Sequence, residues 1–568
     1  MTRFDLGAHS MKVTTSSPEA QYWFDQGLNW SFGFNKEESV KCFHKALEHD
    51  PDCAMAHWGI ALGAGPFYNL TWSEYGEQEA NISTKLAYDH LVTARSAPER
   101  MTSLESQLVT ALIARFQKPH AVSAQEFARW DDDYAAAMRR VYYDFPDNHD
   151  VMALFVEALL MRTPRRLWNL KTGLPAAGSD IREALSVCER SMAMKTAIGA
   201  PQHPAVVHLH IHALEMSNEP ERAMLSADAL STLCPDAGHM NHMPGHIYVL
   251  CGQYDRAKVA SEAAIRVNDK FLDYAGPLTF YTVACCHDLH LMMHTCMLMG
   301  HYQDAIGAAN KTCNLLTKDV LSVKERPKFT MSLEGYYSMK SHVMVRFGRW
   351  REIIDEPLPG DPDLYLVTTA MQHYAKGIAH ATLKRFDDAD RERERFYKSV
   401  ERIPPERRFF NNWARDILAV GAMMLDGEIE YHKGNYDVAF KCLRESVIRD
   451  DSLEYIEPWA WMHPPRHALA ALLMEQGEYK EAEDIYRDDL GLSRKIQRCA
   501  QHPNNVWALH GLVECLQRRG DQPELNIFEP ALARALRLAD VAITSSCMCR
   551  TNVGHVRSAL TGPHDCCA

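Results

Sequence analysis

The sequence predicts an all-α protein built of stacked helix pairs. Three observations carry this. Apolar residues recur at helical spacing along nearly the whole chain, while strand-like alternation is scarce. Gly or Pro punctuates the pattern about every fifteen to twenty residues, marking turns between helices. Three successive segments also carry histidines at helical spacing: His208 and His212; His239, His242 and His246; His287, His290 and His294. Each set follows i, i+3, i+7, or its last two members, and so lines one helix face. Nine equivalent slots hold eight histidines, with only Ala205 breaking the set. A chain with 28 histidines in 568 residues would place about 0.4 there by chance.

In chain order, a degenerate unit of about 34 residues aligns the helix pairs. Gly27, Trp30, Phe43, Ala46 and Pro51 take positions 8, 11, 24, 27 and 32 of the first unit, and Ala54, His57, Trp58 and Gly59 open a second. The register returns with Ala223 and Pro235, then with Gly245, Tyr248, Gly252, Tyr254, Ala257 and Ala264. It continues through Gly300, Tyr302 and Ala305; Gly348 and Trp350; Gly377, Phe386 and Ala389; and Gly427, Gly434, Tyr436 and Ala439. Gly477, Tyr479 and Ala482 repeat it, and Trp507 with Gly511 opens a last unit. These positions resemble the tetratricopeptide repeat, in which small residues let paired helices approach closely. The resemblance covers most of 18–540 and implies a TPR-like α-solenoid.

Residues 80–200 stay helical in period but lose the register, as diverged repeats or inserted helices would. The repeats that begin near 238 and 286 stand 48 residues apart rather than 34. The extra segment, 271–281, is read either as a lid or as a plain connector. Residues 1–17 form an N-terminal extension, 18–545 the solenoid, 204–320 its histidine-rich part, and 546–568 a cysteine-containing tail.

In the tetratricopeptide family, positions 2, 5, 9 and 12 of each first helix face the concave groove. The resemblance therefore implies that all eight histidines and Glu215 point into one stretch of it. Packed helices stand about 8–10 Å apart and imidazole binds a metal at about 2 Å, so neighbouring helices can share an ion. Nitrogen-rich ligation favours copper, then iron or zinc, over magnesium or calcium. Eight imidazoles exceed the needs of one ion. Either two ions take about three each, or one ion is served and the others contact it indirectly. His342, Tyr374 and His467 are further groove candidates. The segments HLHIHALE, HMNHMPGH and HDLH, with Trp58–Leu62 and Asn504–Leu509, are similar to a largely uncharacterised group of histidine-bearing tetratricopeptide proteins. That resemblance brings no established reaction. Peptide contact or a solvated polar face would also accommodate histidines, but eight crowded imidazoles, charged or buried unsatisfied, would be costly without a metal.

Cys234, Cys251, Cys285, Cys286 and Cys296 flank the histidines and are read as small buried hydrophobes. Cys547, Cys549, Cys566 and Cys567 stand close together in the tail, as soft-metal ligands or plain thiols. Net charge is −13 with no dense basic block, which argues against nucleic acid. No signal-peptide core and no uncharged membrane-length run is visible, so a cytoplasmic protein with reduced thiols is expected. No phosphate loop, G-x-S-x-G elbow or H-E-x-x-H motif occurs.

The leading expectation is a metal-dependent oxidoreductase acting on a small organic molecule with dioxygen, with Glu215, Tyr248 or Tyr281 handling protons. A zinc-type hydrolase or lyase is the first alternative. A tetratricopeptide scaffold that binds a protein partner is the second.

Overall fold

The computed structural model describes residues 4–96, 98–323 and 327–552. Cys566 and Cys567 lie outside them. Among the described residues the fold is all-α, of the helical-repeat class. Its only paired strands are the two-residue pieces Arg408–Phe409 and Asn412–Trp413. No helix among the described residues is long and apolar enough to cross a membrane. The chain divides into two compact units, one drawn chiefly from 4–248 and 259–288, the other chiefly from 249–258, 289–322 and 330–552.

The first unit opens with helices Pro18–Phe32, Lys36–His49 and Ala54–Ala64. Ser17 starts the first by accepting from the Ala20 N–H at 3.1 Å, with Pro18 in the first turn, where its missing donor costs nothing. Asn35 caps the second in the same way. A Cβ placed on Gly27 or Gly59 would come within 2.8 or 2.5 Å of the Phe43 ring, so these small residues permit the close helix approach that the repeat pattern implied.

The stretch that lost the register contains helices Glu77–Arg95, Ser103–Ile113, Ala124–Asp144, His149–Leu160 and Ile181–Ala197. Their lengths are 19, 11, 21, 12 and 17 residues, a spread that no fixed repeat accommodates. Helix His149–Leu160 is buried from Asp150 to its end, and helix Pro204–Glu215, which it packs against, is buried along its whole length. Helices buried on every side need no polar face. The N-terminal extension is anchored on this unit. Phe4 packs edge-on against Trp30, Asp5 and Asp236 exchange hydrogen bonds of 2.7 and 2.8 Å, and Thr14 donates twice to Glu105.

The second unit is more regular. Helices Leu366–Thr382 and Phe386–Arg402, Ala414–His432 and Tyr436–Asp450, Pro465–Gln476 and Tyr479–Asp489, and Val506–Arg519 and Gln522–Leu536 form successive packed pairs.

Candidate metal centre

Three helices supply the site: Pro204–Glu215, Gly238–Leu250 and Thr282–Met299. His203 caps the first, its Nδ1 accepting from the Val206 N–H at 3.4 Å, and Pro204 fixes the first turn. Gly238 begins the second, where a Cβ would fall 2.0 Å from Asn268 Oδ1 and 2.7 Å from the Tyr281 hydroxyl. Tyr281 is close because its hydroxyl accepts from the His239 N–H at 3.3 Å. It thus satisfies an orphan donor at a helix N-terminus.

Six of the eight histidines gather in two groups of three, His208–His212–His239 and His242–His246–His287. Each group takes two residues one turn apart on one helix and the leading histidine of the next. In the first group His208 Nε2 lies 3.1 Å from His212 Nε2 and 3.0 Å from His239 Nε2. In the second His242 Nε2 lies 2.6 Å from His246 Nε2, and the His242 and His287 ring centroids are 4.4 Å apart. Rings of different groups also meet, with His239 and His242 stacked at 5.9 Å.

The other ring nitrogens fix the tautomers. His208 Nδ1 donates to the Phe32 carbonyl at 2.9 Å, and His212 Nδ1 donates to Glu215 Oε1 at 2.8 Å. His246 Nδ1 donates to the opposite oxygen, Oε2, at 2.7 Å. Glu215 therefore holds one imidazole of each group. A neutral imidazole whose Nδ1 carries the hydrogen has a bare lone pair on Nε2. With Glu215 ionised, His208 and His212 face each other, Nε2 to Nε2, with no hydrogen between them. His239 can offer a hydrogen to His208, but the 3.1 Å contact between His208 and His212 stays lone pair against lone pair. Protonation does not relieve it, because burial first, then neighbouring imidazoles, hold His208 and His239 well below the usual histidine range. For His212 the causes are burial, His246 and Arg165. His242 and His287 are shifted the same way, again chiefly by burial. Two nitrogens bound at 2.0–2.1 Å to one tetrahedral ion stand about 3.3 Å apart. The 3.0 and 3.1 Å spacings of the first group come near that and fit a transition-metal ion, whereas the 2.6 Å spacing of His242 and His246 is shorter. Donation from Nδ1 to a carboxylate or carbonyl is the usual support of a metal-binding histidine.

Asp288 backs the second group. Its Oδ2 accepts from Asn268 Nδ2 at 2.6 Å, and Oδ1 lies 3.1 Å from His242 Nδ1, off the hydrogen-bonding line. Burial pushes this carboxyl up to about 7. Burial also raises the Glu215 carboxyl, opposed by His246 and Arg165.

An aromatic wall covers the first group. Phe34 stacks on His239 at 5.1 Å and on His212 at 5.8 Å, and the Tyr68 ring lies 4.6 Å from His212. Phe34 and Arg165 both adopt left-handed backbone, with φ of 61° and 58°. Non-glycine residues are held there only by well-packed surroundings. Arg165 donates to the Asn69 carbonyl at 2.8 Å, and its charge reaches His212, His287 and Glu215. Phe34, Tyr68, Arg165 and Asp288 escaped the sequence reading. Only Asp288, adjacent to His287, carried a signal that could have found it.

The remaining expected residues lie elsewhere. His290 stacks on Phe410 at 5.1 Å, and the His294 ring lies 6.0 Å from His502, so neither joins the two groups. This departs from the expected set of eight. Its cause is that equal spacing on a helix does not bring a partner from the next helix. Tyr248 donates to Asp228 at 2.8 Å, and Tyr281 serves the backbone, so neither occupies the expected catalytic position among the ring nitrogens. His342 and Tyr374 pack edge-on against Trp461, and His467 donates to Asp489 at 2.8 Å. Cys234, Cys285, Cys286 and Cys296 are buried and form no disulfide, and no potential metal-ligating group among the described residues includes a cysteine. The 271–281 segment is tied to helix Lys36–His49, with Tyr274 donating to Glu38 and the Phe280 N–H to Glu37.

His9 and His203 share Asp150 Oδ1, at 2.9 and 3.1 Å. This carboxyl is held below the usual carboxylate range by those two hydrogen bonds, against burial. His203 Nε2 donates there because its Nδ1 is committed as an acceptor to the Val206 N–H. The trio is satisfied as it stands.

Buried neutral histidines give a pH prediction. Burial depresses His203 and His467 to about 4, and His294 and His342 to about 3. Below about 6.5 the unfolded chain takes up protons at these positions that the folded chain refuses. Stability therefore rises with pH across this window and is lost as pH falls from about 6.5 toward 4. The loss is about 1 kcal/mol per pH unit for each residue. Thermal unfolding followed from pH 7 to pH 5 is expected to show a steep fall in Tm. A flat profile would contradict the neutral assignments.

The tetratricopeptide repeat model matches residues 466–500. No curated protein matches the chain. Among solved structures, Ypp1 is similar at 9% identity over 92% of this chain and 77% of that one, with a TM-score of 0.40. The APC/C hetero-tetramer Cut9–Hcn1 is similar at 12% identity over 88% and 76%, with a TM-score of 0.30. A monomeric IFIT1 mutant with Gppp-AAAA is similar at 10% over 93% and 92%, with a TM-score of 0.31. At these values the likenesses carry no inference about activity.

Proposed function

We propose that this helical-repeat chain, whose residues 466–500 match a tetratricopeptide repeat, is a metal-dependent oxidoreductase. Two neighbouring three-histidine sites each hold one transition-metal ion, copper before iron or zinc, and act on a small organic molecule with dioxygen. The observation that supports this best is the 3.1 Å contact between the Nε2 atoms of His208 and His212, which an ionised Glu215 leaves lone pair against lone pair and which a bound cation relieves. All-nitrogen, three-coordinate sets leave positions open for substrate or oxygen and suit a redox-active ion. The metal, when bound, supplies the electron transfer.

The chain's own residues do the rest. Glu215 takes the Nδ1 hydrogens of His212 and His246, aims both rings, and raises their basicity as ligands. Phe34 and Tyr68 keep water off one side of the first site. Low dielectric there strengthens every electrostatic interaction within it.

Protein purified without chelators is expected to hold about two copper or iron ions per chain and to consume oxygen when given an oxidisable substrate. Electron paramagnetic resonance distinguishes the metals. Zinc content with oxygen-independent turnover would turn the reading to a hydrolase or lyase. Absence of any stoichiometric transition metal would overturn it.

A further inference from the structure

In the second unit, residues 545–550 belong to a non-helical segment and are almost all buried. Ser545 and Ser546 are 1% exposed, Cys547 2% and Cys549 1%. Ser546 meets the Tyr486 hydroxyl at 2.5 Å and donates to the His467 carbonyl at 3.4 Å. Arg550 makes two hydrogen bonds to Glu514, at 2.7 and 3.0 Å. The segment is pinned on both sides of its C-x-C pair.

That pair is unusually close. The Cys549 thiol donates to Cys547 Sγ at 2.7 Å, and the Cys549 N–H reaches the same sulfur at 3.4 Å. His463 Nε2 is 3.9 Å away. Two thiolates sharing a tetrahedral zinc ion at 2.3 Å would stand about 3.8 Å apart. The observed spacing is too short for that and lies nearer the 2.05 Å of an S–S bond. One sulfur accepts and the other donates, the division of labour of an attacking thiolate and a resolving thiol. Arg346, fully buried with its cation 3.8 Å over the Trp507 ring, has no hydrogen-bond acceptor among the described residues.

We propose that Cys547 and Cys549 are a redox-active dithiol site whose reactant is a small peroxide. The Cys547 thiolate attacks a peroxide oxygen. The O–O bond breaks, an S–O bond forms, and the leaving hydroxide or alkoxide takes a proton. The Cys549 sulfur then attacks the sulfenic acid, an S–S bond forms, and water leaves. Two electrons pass from the sulfurs to the peroxide, and the two thiol protons end on its oxygens. The Cys549 donors and the Arg346 cation hold the Cys547 thiol below its usual range against burial, whereas Cys515 in the same unit is pushed up to about 12. Thiolate character and access to the reagent together decide which cysteines oxidise first, so a peroxide small enough to enter this buried segment is the reactant required.

The test uses full-length protein treated with hydrogen peroxide, alkylated and digested with trypsin. Residues 538–550 form one tryptic peptide that holds these two cysteines alone. It is expected to lose two hydrogens and refuse the alkylating reagent, at about ten times the rate of Cys515 or more, and to recover with dithiothreitol. Cys549→Ser should stop at the sulfenic acid of Cys547, trapped by a cyclic dione. Cys547→Ser should leave Cys549 alkylatable. Oxidation of Cys515 at an equal rate, or an unmodified pair in protein shown to be folded, would overturn the proposal. So would a chelator-resistant metal released by Cys547→Ser.

Discussion

His212→Ala is expected to lower the metal content from about two ions per chain to about one, and oxygen-consuming activity by about 100-fold or more. Removal of one imidazole leaves His208 and His239 alone on the first site, too few for tight binding. The second site keeps His242, His246 and His287, and Glu215 keeps its bond to His246. His290→Ala is the control. Its ring stacks on Phe410, apart from both groups, so metal content should stay at about two. Elemental analysis on protein shown to be folded reads both outcomes. Equal loss in the two variants would mean that the ions, if bound, are not held as these groups imply.

Glu215→Ala should strike both sites together. Two buried imidazole N–H groups lose their acceptor, and each ring loses the partner that aims it. Loss of such a support typically costs about 10- to 100-fold in metal affinity, so chelator competition should show both affinities falling by about that factor. The two unsatisfied donors also cost about 1–3 kcal/mol each in the metal-free protein. Glu215→Gln is the sharper variant. One amide oxygen still accepts, while the amide N–H₂ confronts the other imidazole N–H. One affinity should survive and the other should fall. Unchanged affinities in both variants would remove the carboxylate from the centre.

The helical period and the small residues at repeat positions were legible because they answer to local rules. Gly27 and Gly59 must be small where Phe43 passes. The stretch 80–200 was not legible as repeats because its helices range from 11 to 21 residues. In the histidine set the sequence shows which rings share a face, and the structure shows which converge. Each group needs two rings a turn apart and one from the following helix. By that arithmetic His290 and His294 would open a third group, completed by a histidine at position 335. Residue 335 is a glycine, and Phe409 fills its place, a Cβ there falling 1.9 Å from that ring. His290 is left to stack on Phe410. The series ends for want of one side chain. The aromatic wall and Arg165 come from turns outside the histidine helices, and no spacing rule reaches them.

Because a single carboxylate grips one ring from each trio, the two trios are thermodynamically linked. Whatever enhancement the first occupant confers on the second, the second must confer on the first by the same factor. Were that factor favourable, chains either empty or doubly loaded would outnumber half-filled ones.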